Sequence, residues 1–152
     1  MFTKMLPSRR TGARRRGNAV LDAALVLPLL ISLTFGTVEY GYFFFLKHSI
    51  QGAAREGCRV GILSTATNTQ VTQAAAASLY AAGLNSSQTT LDAKYTCTTT
   101  PANVSGQSAG TTITVSLQTT WGQAGVRALP TYLGGIATTK NITGATTMRK
   151  EG

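Results

Sequence analysis

The run Arg14-Arg15-Arg16-Gly17-Asn18 leads into an apolar stretch whose first acid is Asp22. These residue types at this spacing suit the hydrolysis of one peptide bond at a membrane face. A peptidase working there needs an unhindered backbone, and a glycine before the scissile bond provides it. Cleavage after Gly17 would leave Asn18 with a free α-amine and place Asp22 one helical turn further in. A carboxylate in hydrocarbon is costly unless paired or protonated, so the α-amine of a neighbouring chain is a fitting partner. The same residues also allow a plainer arrangement, in which Gly17 starts a transmembrane helix and Asp22 sits at the headgroups.

Other chemistries find little support. His48 is the single histidine, too little for a metal site or for a Ser/His/Asp arrangement among five scattered acids. No glycine-rich phosphate loop of the required spacing occurs. The expectation is therefore a non-enzymatic protein with no metal, no cofactor and no small-molecule substrate. The net charge of +9 suggests nucleic acid at first sight, but six of the 14 bases lie in residues 1–17, where there is no acid. The basicity thus belongs to a leader, not to a binding face interleaved with aromatics, and argues against nucleic-acid binding. Lys/Arg-rich flanks stay on the cytoplasmic side of a membrane, so the amino terminus is expected inside and the bulk of the chain outside. Cys58 and Cys97 could form one disulfide in an oxidising compartment or remain two thiols, and their positions in the sequence leave both open.

The elements that position these residues follow from composition. Residues 1–17 read as a basic leader with Pro7, Gly12 and Gly17 as breakers. Residues 18–46 carry only Asp22 and Glu39 as charges. As a helix they would span about 43 Å, enough to cross a hydrocarbon core of about 30 Å. No small-residue cleavage site follows this run, which favours its retention as an anchor. Pro28 is expected to loosen or kink the helix. Tyr40, Tyr42, Phe43, Phe44 and Phe45, ahead of Lys47 and His48, have the composition of an aromatic belt at a membrane exit. Small and apolar residues at three- and four-residue steps continue the helix to about residue 63, with Gly57 and Gly61 on a face able to press closely on a neighbour. Gln51 and Arg55 are placed on the outward face, and Arg55, Glu56 and Arg59 read as a solvated one.

Beyond a polar break at 64–69, residues 71–82 predict a second helix closed by Gly83. Alternation then predicts strands over 89–99, 111–120 and, more weakly, 140–149. Ile113, Val115 and Leu117 share the inner face of the second strand. Trp121 and Tyr132 are expected in or near a small core. The fold class is α+β: a long N-terminal transmembrane helix running into a head of helices and an antiparallel sheet of about three strands. The organisation is leader 1–17, transmembrane helix 18–46 and extracytoplasmic head 47–152, helical to about 83 and β-rich after it.

The run from Arg15 to Pro28, Arg-Arg-Gly-Asn-Ala-Val-Leu-Asp-Ala-Ala-Leu-Val-Leu-Pro, resembles the start of TadE-like proteins, the pseudopilins of tight-adherence (Flp-type) pilus systems. Phe35-Gly36-Thr37-Val38-Glu39-Tyr40-Gly41 and Ala53-Ala54-Arg55-Glu56-Gly57-Cys58-Arg59 resemble later parts of the same family segment. The resemblance covers roughly residues 14–62 and not the carboxy-terminal half. It implies a pilin-like head, cutting by a prepilin peptidase between Gly17 and Asn18, insertion in the bacterial inner membrane as a single pass, and a place in pilus assembly with other pilin or assembly subunits, extending to the extracellular pilus. The acid of the mature amino terminus would be Asp22, where the family usually has Glu followed by an aromatic residue. Glu39 lies about 25 Å along the helix from Asp22, too far to pair with it. It reads as a contact to a neighbouring subunit, with snorkelling toward the outer interface near Lys47 as the alternative. A different class of function is also open: a single-pass anchored extracytoplasmic binding module, neither cleaved nor polymerised.

Overall fold

The computed structural model describes the backbone of residues 13–151 and the side chains of residues 19–151. The first twelve residues of the basic leader lie outside them. Helix α1 (Ala13–Gly61) is 49 residues long and holds Pro28 without a break in its assignment. At 1.5 Å per residue it is a rod of about 73 Å. Gly17 lies inside this helix and does not break it. Along the apolar part, the Thr34 and Thr37 hydroxyls donate to the Leu30 and Leu33 carbonyls one turn back, at 2.8 and 2.9 Å. Polar side chains in an apolar surround satisfy themselves in this way.

Helix α2 (Asn68–Ala81) starts three residues before the expected position, because the polar break supplies its cap. The Thr67 hydroxyl accepts from the Gln70 amide, and the Gln70 side chain accepts from the Thr67 amide, a reciprocal capping box. At the other end Gly83, with φ +72°, allows the Leu84 and Gly83 amides to turn back to the Leu79 and Tyr80 carbonyls. This Schellman pattern needs a left-handed residue, which glycine adopts without strain.

Strands β1 (Thr96–Thr100), β2 (Thr112–Thr120) and β3 (Asn141–Arg149) form one antiparallel sheet in the order β1-β2-β3. Ile113, Val115 and Leu117 are fully buried on its inner face, as their alternation predicts. The strand expected over 89–99 begins only at Thr96. The Asn85 side chain donates to the Ser87 and Thr90 carbonyls and accepts from the Asp92 amide, while the Asp92 carboxylate accepts from Ser86. These side-chain bonds hold residues 85–92 in turns and outcompete the ladder there. The short helix α3 (Trp121–Ala124) and a 3-10 turn at Thr131–Leu133 interrupt the long connection to β3.

The carboxy-terminal half of α1 packs on β2 and β3, and α2 packs on α1. The core joins Leu46, Ile50 and Ala54 of α1 to Val71 and Leu79 of α2 and to the inner face of β2. Gly57 and Gly61 do meet a neighbour closely: an added Cβ would stand 3.2 Å from the Val71 carbonyl oxygen and 3.2 Å from its Cγ2, respectively. Gly144 brings β3 still closer to α1, with room for a Cβ only 2.7 Å from the Gln51 nitrogen. Gln51 therefore faces the sheet and not solvent. Its amide group donates to the Ala145 carbonyl at 2.7 Å and accepts from the Ala145 amide at 3.2 Å, closing the outer edge of β3 at that residue.

Candidate functional site

Helix α1 divides into two environments. In residues 19–38 every side chain is exposed except Ser32 and Gly36, which are half-buried. Those twenty residues would span about 30 Å, the thickness of a hydrocarbon core. Val20, Leu21, Leu25, Val26, Leu29 and Leu30 are all exposed. This part of the chain is long and apolar enough to cross a membrane. Asp22 is exposed near its start. Gly17 and Asn18 belong to the first two turns of α1, and what surrounds the Asn18 side chain lies outside the described side chains.

At Glu39 the environment changes. Glu39 is fully buried. One carboxylate oxygen accepts from the Leu129 amide at 2.8 Å, and the other accepts from the Ile136 amide at 2.7 Å. Both donors come from the connection between α3 and β3. The structure thus gives Glu39 partners in its own chain, where the sequence reading looks to a neighbouring subunit or to Lys47. The reason is local: residues 129–136 curl through the 3-10 turn so that two backbone N–H groups converge, and a carboxylate with two acceptors matches them. Sequence gives no pattern for this, since the partners are main-chain groups some ninety positions away.

The head therefore begins its packing on α1 near Gly36, where an added Cβ would contact Leu129 at 3.6 Å, and not at residue 47. The aromatic run is divided accordingly. Tyr42 and Phe43 lie against the buried Trp121, with ring centroids 6.0 and 5.7 Å away, and serve the core. Phe44 and Phe45 remain exposed. Trp121 is in the core as expected, but Tyr132 is 86 % exposed, on the far side of the loop that Glu39 holds. Trp121 Nε1 is a buried polar atom without a partner among the described residues. Its indole is covered by Gly125, where a Cβ would come within 2.3 Å of the ring.

The two cysteines are free. Cys58 is buried in α1, its thiol 3.4 Å from the Ile113 carbonyl. Cys97 sits opposite Leu117, four residues along β2 from Ile113. The two thiols thus lie at different places against β2, and the Cys58–Cys97 bridge is not formed. Burial raises the pKa of both thiols. Arg59 pairs with Glu56 at 2.9 Å on an exposed face, and Arg55 and His48 are exposed. No cluster of three or more metal-ligating residues occurs among the described residues.

Residues 17–59 match the family model described as TadE-like protein. No curated protein and no solved structure gives a significant match. The matched residues begin at the glycine of the basic junction, take in the whole lipid-length stretch and Glu39, and stop at Arg59, before α2 and the sheet. Over that segment, which takes in the exposed apolar stretch and the first part of α1 packed in the head, the chain is similar to TadE-like proteins.

Proposed function

We propose that this chain is a pseudopilin of a tight-adherence pilus, a minor subunit or assembly factor anchored by a single pass in the bacterial inner membrane, with the amino terminus inside and the head outside. The observation that carries the reading is a coincidence of boundaries. The TadE-like match starts at Gly17, and a stretch of α1 with no buried residue follows over 19–38, up to the buried Glu39. A prepilin peptidase cuts after Gly17, freeing Asn18. Because the helix runs through this bond, the first turns must unwind for cutting. Gly17 weakens the helix by about 1 kcal/mol relative to alanine, and no acid in the first turn favours the helix dipole. The apolar stretch then packs against other pilin-type helices in the lipid, with Asp22 accepting a neighbour's α-amine. The role is structural, with no catalytic residue.

Amino-terminal sequencing of the protein extracted from membranes tests this. A terminus at Asn18 is the expected result, and an intact Met1 overturns the processing step.

One observation favours the second reading, an uncleaved anchor carrying a binding head. Glu39 is used up within its own chain, which leaves Asp22 as the acid of the lipid-length stretch available to a neighbour.

A further inference from the structure

The loop that Glu39 holds lies beside the apolar stretch, not above it. Leu129, Leu133 and Gly134 share a groove of about 420 Å³ with Ser32, Leu33 and Gly36 of α1. Ser32 is seven positions before Glu39, so the groove reaches about 10 Å toward the lipid side of that carboxylate. From this loop Tyr132, Leu133 and Val126 point outward, 86, 51 and 46 % exposed. Resting on the anchored reading above, we propose that the loop is a second membrane contact, which inserts Tyr132 and Leu133 into the outer leaflet next to α1.

Three features of the loop select lipid as the occupant. First, its apolar side chains continue the surface of a helix stretch that already has the length of the hydrocarbon core. Second, several of its backbone amides are paired within the chain, as an apolar surround favours. The Leu129 and Ile136 amides donate to Glu39, the Leu133 and Gly135 amides donate to the Pro130 carbonyl, the Gly134 amide donates to the Thr131 carbonyl, and Pro130 has no N–H. Third, the connection 121–140 contains no acid, and the exposed Arg127 lines the same surface depression as Tyr132, where it could meet headgroup phosphates. A tyrosine body with a polar tip and an arginine are the residues that settle at a membrane interface. Glu39 is then a positioning residue. It holds the loop at a depth that side chains of this kind reach, roughly 5–10 Å below the interface.

The test uses full-length protein in phosphatidylcholine vesicles containing phosphatidylglycerol, with and without brominated acyl chains. Trp121 is the single native tryptophan and is buried in the head, so wild type gives the baseline. Tyr132→Trp reports the loop and Leu30→Trp reports the helix. The expected result is a blue-shifted Tyr132→Trp signal that is quenched by bromine well beyond the wild-type baseline, unchanged as lipid excess is raised. Water-like, unquenched emission from Tyr132→Trp alongside a quenched Leu30→Trp overturns the proposal and leaves the anchor intact. A blue shift that vanishes on lipid dilution assigns the groove to a second copy of the chain and also overturns it. An unquenched Leu30→Trp overturns the anchored reading, and the loop insertion with it.

Discussion

The Leu129 amide donates to the Glu39 carboxylate at 2.8 Å across ninety positions of sequence. With the matching bond from Ile136, this fastens the last long loop of the head to the helix at the first buried residue of its described side chains. A hydrogen bond to a charged group contributes about 1.5–3 kcal/mol, and a buried N–H left without a partner is destabilising by about as much. Glu39→Ala should therefore free the loop while the sheet persists. Hydrogen exchange should show lost protection at Leu129 and Ile136 by a factor of about ten or more, with the β2 amides unchanged. Glu39→Gln keeps one acceptor oxygen and should fall between the two.

Gly144 fixes the distance between β3 and α1. A Cβ there would stand 2.7 Å from the Gln51 nitrogen, against main chain that has no room to yield. Gly144→Ala should destabilise the head by about 1–3 kcal/mol, the range of overpacked cores. Denaturant unfolding of the detergent-solubilised protein reads this as a lower midpoint. Gly41→Ala, where an added Cβ meets nothing within 4 Å, is the control and should leave the midpoint in place or raise it.

Both thiols have pKa values raised by burial, so the thiolate fraction at neutral pH is below that of a free cysteine. Alkylation of the native protein should be slow at pH 7–8 and accelerate as pH rises above 9. Cys97, only half-buried, should react before Cys58. Mass spectrometry under oxidising conditions should find no intramolecular bridge, and a Cys58–Cys97 crosslink in the folded protein would contradict the packing of α1 on β2.

Tyr95 is buried and donates its hydroxyl to the Leu84 carbonyl at 3.0 Å. Burial pushes its pKa up to about 12. The folded pKa is above the ordinary value near 10, so the stabilisation is fully present below about pH 10 and is lost as pH rises toward 12. Thermal or denaturant unfolding followed across that window should show stability falling as pH rises. Tyr95→Phe should flatten this slope and lower stability by about 1 kcal/mol at neutral pH.

Replacing Gly17 by a bulky residue should block removal of the leader and leave membrane insertion intact, because the peptidase needs the backbone free while insertion depends on residues 19–38. Gel mobility and carbonate extraction separate the two outcomes. Unchanged processing would move the cleavage site elsewhere.

The sequence alone determined the elements whose causes are local. A long apolar run after residue 18, a glycine stop at Gly83 and the alternation of Ile113, Val115 and Leu117 each need only neighbours within a few positions, whereas the cap at Thr67 and Gln70 reads in the sequence only as a polar break. The family segment was legible for the same reason, since its motifs are contiguous. Only the tertiary structure decided where the head begins to pack on α1 and what Glu39 and Gln51 do, because their partners are main-chain groups of a loop and a strand some ninety positions away. Main-chain donors carry no residue identity, so no pattern of side chains announces them. The separation of Cys58 from Cys97 and the outward turn of Tyr132 were hidden likewise, for both depend on strand register and on a loop shaped by contacts that one dimension does not record.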